Sequence, residues 1–298
     1  MLDYKPLRYF TVLAECSSFR KAAEQLHITQ PPLSRQIVSL EESIGVKLFV
    51  RDTRHVKLTP AGEYFYREAK NILASLQRAE RMTVKAADGE AGHLKIGFTM
   101  CSAHTVVPKY VRKMQQRYPE IKLDLKEIIS DDIPEKLLLG EIDVGVILET
   151  EPRAGLLTAT VLEEPLCAAL SRDHPKALCR ELKITDLKNE IFAITSAQGS
   201  IKLRNDTLNF CRKNGFEPDV GFEVTLQQTM LSLVDDGACI ALVPFSMSRL
   251  RMDGITFKAI QQAPSVRQEV TWSSANSNPC LNVFLSACIT DGDGPSSD

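Results

Sequence analysis

From Glu63 to Asp88 the chain contains neither glycine nor proline, and Thr59-Pro60 stands just ahead as an N-cap followed by a proline suited to a first helical position. Within this stretch Phe65, Ala69, Ile72, Leu76, Ala79, Thr83 and Ala86 recur with alternating spacings of four and three, which is a heptad seam. A helix of this length spans roughly 40 Å at 1.5 Å per residue, too long to hide inside one small core. The segment therefore divides the chain into a head and a body. It reads as a connector helix with a dimerising face, or else as an amphipathic helix packed on its own domain. Gly89 to Gly92 ends it.

The two flanks are patterned differently. In the head, apolar residues recur at helical spacing in three short blocks, Leu7–Leu13, Phe19–Leu26 and Leu33–Ile44. Ser18 can cap the second block, Thr29 with Pro31 can open the third, and Gly45 can close it. Leu48–Val50 and Val56–Leu58 flank a polar segment and read as a small β-wing. From Leu94 onward short apolar strands alternate with helical stretches. Strands are expected at Leu94–Phe98, Ile121–Ile129, Asp143–Leu148, Leu156–Leu162, Leu166–Leu170, Ile191–Thr195, Val220–Val224 and Ile240–Val243. Helices are expected around Val107–Tyr118 and at Ile133–Leu139, Leu203–Lys213 and Leu226–Asp235. Such alternation predicts parallel sheet and an α/β body of two similar halves with a cleft between them.

Charge follows the same division. Residues 1–60 carry nine Lys/Arg against six Asp/Glu, whereas residues 91–298 carry 22 against 27. A basic head on an acidic body points to a polyanion-binding module joined to something that is not one. With 44% hydrophobic and 25% charged residues the chain has the composition of a folded globular protein, which excludes disorder or a collagen-like repeat as a whole-chain reading. Apolar runs such as Ile240–Phe245 are far too short to span a membrane, and Met1–Phe10 lacks the apolar region of a signal peptide, so the cytoplasm is expected. The eight cysteines contain no CxxC pair and read as reduced thiols. His27, His55, His93 and His174 are isolated, and no Gly-rich phosphate loop is present. No metal and no cofactor is expected.

The sharpest motif is Phe19–Leu26, a polar hinge His27–Gln30, and then Pro31-Pro32-Leu33-Ser34-Arg35-Gln36-Ile37. Ala22 and Ala23 are small where two helices would cross. Gln30, Ser34 and Arg35 fall at the first turns of the second helix, where a major-groove reader contacts bases and phosphates. An ordinary helical hairpin with a solvated face would show the same spacing.

Further matches in order settle that choice by resemblance. Leu7-Arg8-Tyr9-Phe10, Ser18-Phe19, Ala22-Ala23, Gln30-Pro31-Pro32-Leu33-Ser34, Leu40-Glu41, Gly45, Leu48-Phe49 and Leu58-Thr59-Pro60-Ala61-Gly62 resemble the head of a LysR-type transcriptional regulator. The likeness continues more loosely through Leu94–Phe98, Gly140–Gly145 and Val234–Pro244. It implies an α/β protein with an N-terminal winged helix-turn-helix (1–61), a linker and dimerisation helix (62–91) and a two-lobed effector domain (92–290) similar to type 2 periplasmic binding proteins. Lobe I would take about 92–162 and 268–290, and lobe II about 163–267. Residues 291–298, rich in Gly, Pro, Ser and Asp, read as a disordered tail.

The resemblance further implies that Thr29, Gln30, Pro31, Pro32, Ser34 and Arg35 read double-stranded DNA, with Arg51 or Arg54 contacting it from the wing. It implies a dimer or tetramer, and contact with RNA polymerase if the protein activates. It places a small-molecule effector between the lobes, at strand-to-helix turns carrying Thr99, Cys101, Ser102, Ser130, Ser196, Gln198 and Ser200. As plain N-caps these residues would bind nothing.

Two departures bear on the effector. Relatives often carry arginine after the Gly-x-x-Asp-x-Gly strand, where this chain continues Val146-Ile147-Leu148, and Gly237 is followed by Ala238-Cys239 where relatives often have a second glycine. Both favour a more apolar or dipole-held effector over a strongly charged acid. A different class of reading is a cytoplasmic two-lobed enzyme, or a redox sensor, using Cys101 with His104 nearby; it leaves the basic head unexplained. A transport solute-binding protein is opposed by the missing signal peptide.

Overall fold

The computed structural model describes residues 4–51 and 56–290 and divides into two compact units, Met1–Lys85 and Ala86–Asp298. The first unit contains α1 (Tyr4–Cys16), α2 (Phe19–Gln25), α3 (Gln30–Ile44), the hairpin of β1 (Phe49–Arg51) and β2 (Val56–Leu58), and all but the end of α4 (Pro60–Ala87). Local chemistry sets most of these boundaries. Ser18 Oγ accepts the Lys21 amide at 3.5 Å, and Gly45 ends α3 at φ +81°. Thr59 Oγ1 accepts the Gly62 amide at 2.9 Å, and Gly62 itself lies so close to the Leu48 carbonyl that no side chain fits there. The hinge between α2 and α3 is Leu26–Thr29, one residue earlier than the sequence pattern suggests. Gln30 already belongs to α3, and Ile28 of the hinge packs on the core.

Phe10, Leu13, Leu33 and Ile37 are fully buried in the head, with the Phe10 ring 5.2 Å from Phe49 and 4.9 Å from Phe65. Side chains of this size each contribute about 1.5–3 kcal/mol when buried. The seam of α4 is thereby shared. Phe65 and Ala69 of the seam pack on the head together with Leu73 from outside it, while Ile72 and Leu76 of the seam stay 50% and 40% exposed and the nearby Val84 62%.

In the second unit, lobe I holds β3 (Gly92–Phe98), α5 (Met100–Ala103), α6 (Val107–Arg117), β4 (Ile121–Glu127), α7 (Ile133–Leu138) and β5 (Val144–Leu148). The chain crosses to lobe II along β6 (Leu156–Ser171). Lobe II contains β7 (Ile191–Thr195), α8 (Ile201–Lys213), β8 (Asp219–Val224), α9 (Gln227–Asp235), β9 (Ile240–Pro244) and β10 (Ile255–Ala259). It returns along β11 (Ser265–Ser273) to α10 (Pro279–Leu285). The strand order is β4-β3-β5-β11-β6-β9-β7-β8, with β10 also on β6.

The parallel sheet expected from sequence exists only at the two ends, β4-β3-β5 and β8-β7-β9. The middle is antiparallel, because β6 and β11 pass between the lobes in opposite directions. Leu156–Leu162 and Leu166–Leu170, read from sequence as two strands, are one. Pro165 suggests a break, but it stands where β6 exchanges β11 for β9 as partner, so its missing N–H costs no ladder bond. No helix is long and apolar enough to cross a membrane among the described residues.

Candidate functional site

The opening turn of α3 is the exposed feature of the head. Thr29 caps it in extended backbone (φ −83°, ψ 158°) without using its side chain, so the hydroxyl is left for an outside partner. Gln30, Pro31 and Arg35 are exposed, Pro32 and Ser34 half-buried, and Arg35 makes no ion pair among the described residues. The prolines cost nothing there, since first-turn amides have no helical acceptor in any case. Behind this face Leu33 and Ile37 anchor the helix, and Ala22 and Ala23 let α2 approach it. Arg51 ends β1; Arg54 lies outside the described residues.

Glu41, on the far side of α3, is buried and positions the wing. Its Oε1 accepts the Leu48 and Phe49 amides at 3.0 and 3.2 Å, and its Oε2 takes Lys47 Nζ at 2.9 Å. A carboxylate inside a small core persists only when its oxygens are met in this way. Sequence reading noted Glu41 only as part of a motif.

In the second unit a cavity of about 340 Å³ opens between the lobes where strand-to-helix turns converge. Lobe I contributes Thr99, Cys101 and Ser130, and lobe II contributes Ser200, all anticipated from sequence. Three anticipated residues do not line it. Ser102 is fully buried, its Oγ 3.1 Å from that of Thr99; Ser196 pairs its Oγ with Thr225 Oγ1 at 3.0 Å; and Gln198 is exposed. Side chains alternate as β7 runs out, so Thr195 faces the cavity in place of Ser196. Thr225, Gln227 and Gln228 were missed, although they form a fourth turn of the same kind, from β8 into α9.

Several bonds join the lobes across this cavity. Cys101 donates its S–H to Gln227 Oε1 at 2.9 Å, Asp131 Oδ2 accepts the Ile201 amide at 3.2 Å, and Lys202 meets Glu149 at 3.1 Å. Beneath it, at the crossing strands, buried Glu164 accepts the Gln268 amide at 2.7 Å and the Ser246 backbone amide, while Gln268 accepts Thr105 Oγ1 at 2.7 Å. Burial pushes the Asp131 carboxyl up from its ordinary value, against the opposing pull of the Ile201 amide.

The surroundings of Cys101 do not favour its reading as a nucleophile or redox group. Burial, with the negative charge of Glu164, pushes its thiol far above the usual range, and the same two causes push Cys167 to about 12. Reactive cysteines need a lowered pKa and access, and Cys101 is 1% exposed. Its sulfur bonds lead to Gln227 and Met247 rather than to His104.

A winged helix-turn-helix unit and a two-lobed α/β unit with an interlobe cleft, carried on one chain, are the build of a DNA-binding regulator switched by a small molecule. Comparison with known proteins agrees over most of the chain. The family model "Bacterial regulatory helix-turn-helix protein, lysR family" matches residues 4–63, and "LysR substrate binding domain" matches residues 87–291. The HTH-type transcriptional regulator AlsR of Bacillus subtilis (strain 168) is 32% identical over 285 residues, covering 95% of this chain and 94% of its own. The solved structure of CbnR, a LysR family transcriptional regulator, superposes with a TM-score of 0.82 at 26% identity, covering 96% of this chain and all of CbnR. Full-length CbnR complexed with its target DNA gives a TM-score of 0.78. The chain belongs to the LysR family: it is a DNA-binding transcriptional regulator with an effector-binding domain.

Proposed function

We propose that this regulator reads its operator with the opening turn of α3, through Thr29, Gln30, Pro31, Pro32, Ser34 and Arg35, supported from the wing by Arg51 or Arg54. Its effector is held in the interlobe cleft by Thr99, Cys101, Ser130 and Ser200, with Thr225, Gln227 and Gln228 added from the geometry. The observation that supports this most directly is the meeting of four strand-to-helix turns, two from each lobe, on one cavity. A molecule seated there touches both lobes, and so favours one arrangement of the subunits over another. The subunits associate as a dimer or tetramer through the exposed apolar stripe of α4. When the operator adjoins a promoter, the bound assembly contacts RNA polymerase. The protein works in the cytoplasm, without a cofactor other than the effector and without turning it over.

Both halves of this reading are testable in the full chain. Arg35→Ala should weaken operator binding by about 1–3 kcal/mol and relax the base preference at one position if the guanidinium reads a base; if it holds phosphate, the salt slope should fall by about one. Binding measured by fluorescence anisotropy between 50 and 200 mM salt separates the two, and unchanged affinity refutes the assignment. Ser130→Trp should fill the cleft, leaving operator binding intact while abolishing the response of a reporter promoter to metabolite feeding.

A further inference from the structure

Among the described residues the wall of the cleft carries no lysine or arginine, and the one charged residue lining it is Glu127, an exposed carboxylate at the end of β4. Three cations in its surroundings are engaged by carboxylates, although Nη1 of Arg204 is buried without a partner among the described residues. Lys202 is held by Glu149 and Asp206 at 3.1 Å each, Arg267 by Glu149 at 3.0 Å, and Arg204 by Glu223 at 3.0 Å. Without a side-chain cation, a negative charge is left to the helix N termini, and the longer of the two that open on the cavity from lobe II is α8, 13 residues beginning beside Gly199 and Ser200 of the wall against nine in α9.

That place is already taken by the protein itself. Asp131 Oδ2 reaches from lobe I to accept the amide of Ile201, the first residue of α8, while Ser200 Oγ accepts the Leu203 amide at 3.4 Å. Arg153 is the positive group whose field reaches Asp131. An effector carboxylate aimed at α8 would meet one like charge at Asp131 and a second at Glu127.

We propose that Asp131 determines the specificity of the cleft: it fills the anion position at α8 and restricts the effector to an uncharged, hydrogen-bonding small molecule. This rests on the reading of the cleft as the effector site. The hydroxyls of Ser130, Ser200 and Thr225 and the amides of Gln227 and Gln228 serve such a molecule, and Met100, Ile128 and Leu226 give it apolar contact.

Benzoate and benzamide, alike in shape and different in charge, are suitable probes for calorimetric titration of the full chain at pH 7.5 and constant ionic strength. Asp131→Ala should bind benzoate about tenfold more tightly than wild type, with benzamide affinity changed less than threefold. Asp131→Asn, which keeps the bond to Ile201 without the charge, should show a smaller gain and serves if the alanine variant does not fold. Benzoate binding equally well to wild type and both variants, or to none of them, overturns the proposal. Adding Ser130→Trp to Asp131→Ala should remove the gained binding; a gain that survives the filled cleft refutes the cleft as the site.

Discussion

Glu41 offers the most quantitative test of how the head is built. Glu41→Ala removes the acceptor for two backbone amides, Leu48 and Phe49, both in buried residues. A hydrogen bond to a charged acceptor contributes about 1.5–3 kcal/mol, so losing two should cost about 3–6 kcal/mol. The Lys47 pair adds little, because that side chain is 70% exposed and surface pairs contribute about 0–1 kcal/mol. Glu41→Gln keeps an oxygen for the two amides but makes that acceptor neutral and discards the ion pair, so its cost should be about 2–3 kcal/mol, below that of the alanine variant. Small domains have about 5 kcal/mol in all, and the alanine variant should therefore leave the head marginal. Hydrogen exchange in the full chain, comparing peptides spanning 41–58 with peptides in β5, reads this loss locally and uses the second unit as an internal control. Operator affinity should fall with protection in the head, since β1 starts at Phe49. If the alanine and glutamine variants agree within about 0.5 kcal/mol, the amides are not held by Glu41 and the reasoning fails.

Two other expectations concern the connector helix and the thiols. Leu76→Glu places a charge in the exposed stripe of Ile72, Leu76 and Val84, and should shift sedimentation at micromolar concentration toward smaller species without lowering the stability of the head; an unchanged size excludes the stripe as an interface. At pH 8 a disulfide reagent should react with the half-buried Cys16, Cys179 and Cys288 and spare the buried Cys101, Cys167, Cys211, Cys239 and Cys280 until the chain unfolds. Because burial and Glu164 raise the thiols of Cys101 and Cys167, bringing the pH to 9 should not expose thiolate at either; early labelling of Cys101 would restore its redox reading.

Features governed by neighbours along the chain could be read directly from the sequence. The caps Ser18, Gly45 and Thr59, the breaker-free run of α4, the strand Ile191–Thr195 and the motif spacing of α2 and α3 all depend on contacts within a few residues. The turns carrying Thr99, Ser130 and Ser200 came from the family resemblance laid over the strand-to-helix order, and Thr225–Gln228 stands at a fourth turn of that order. The placement of Ser102, Ser196 and Gln198 could not be read in this way, because one residue of rotation at a strand end decides which side chain faces the cavity. Other features required pairings between distant segments: Pro165 tolerated inside β6, the antiparallel return of β11, Cys101 bonded to Gln227, and Asp131 seated on α8. Residue type and periodicity determine that an element forms and what chemistry it carries. Which elements meet across a cleft, and which carboxylate thereby fills another lobe's helix terminus, is decided by tertiary packing, since those energies arise only once the chain has closed on itself.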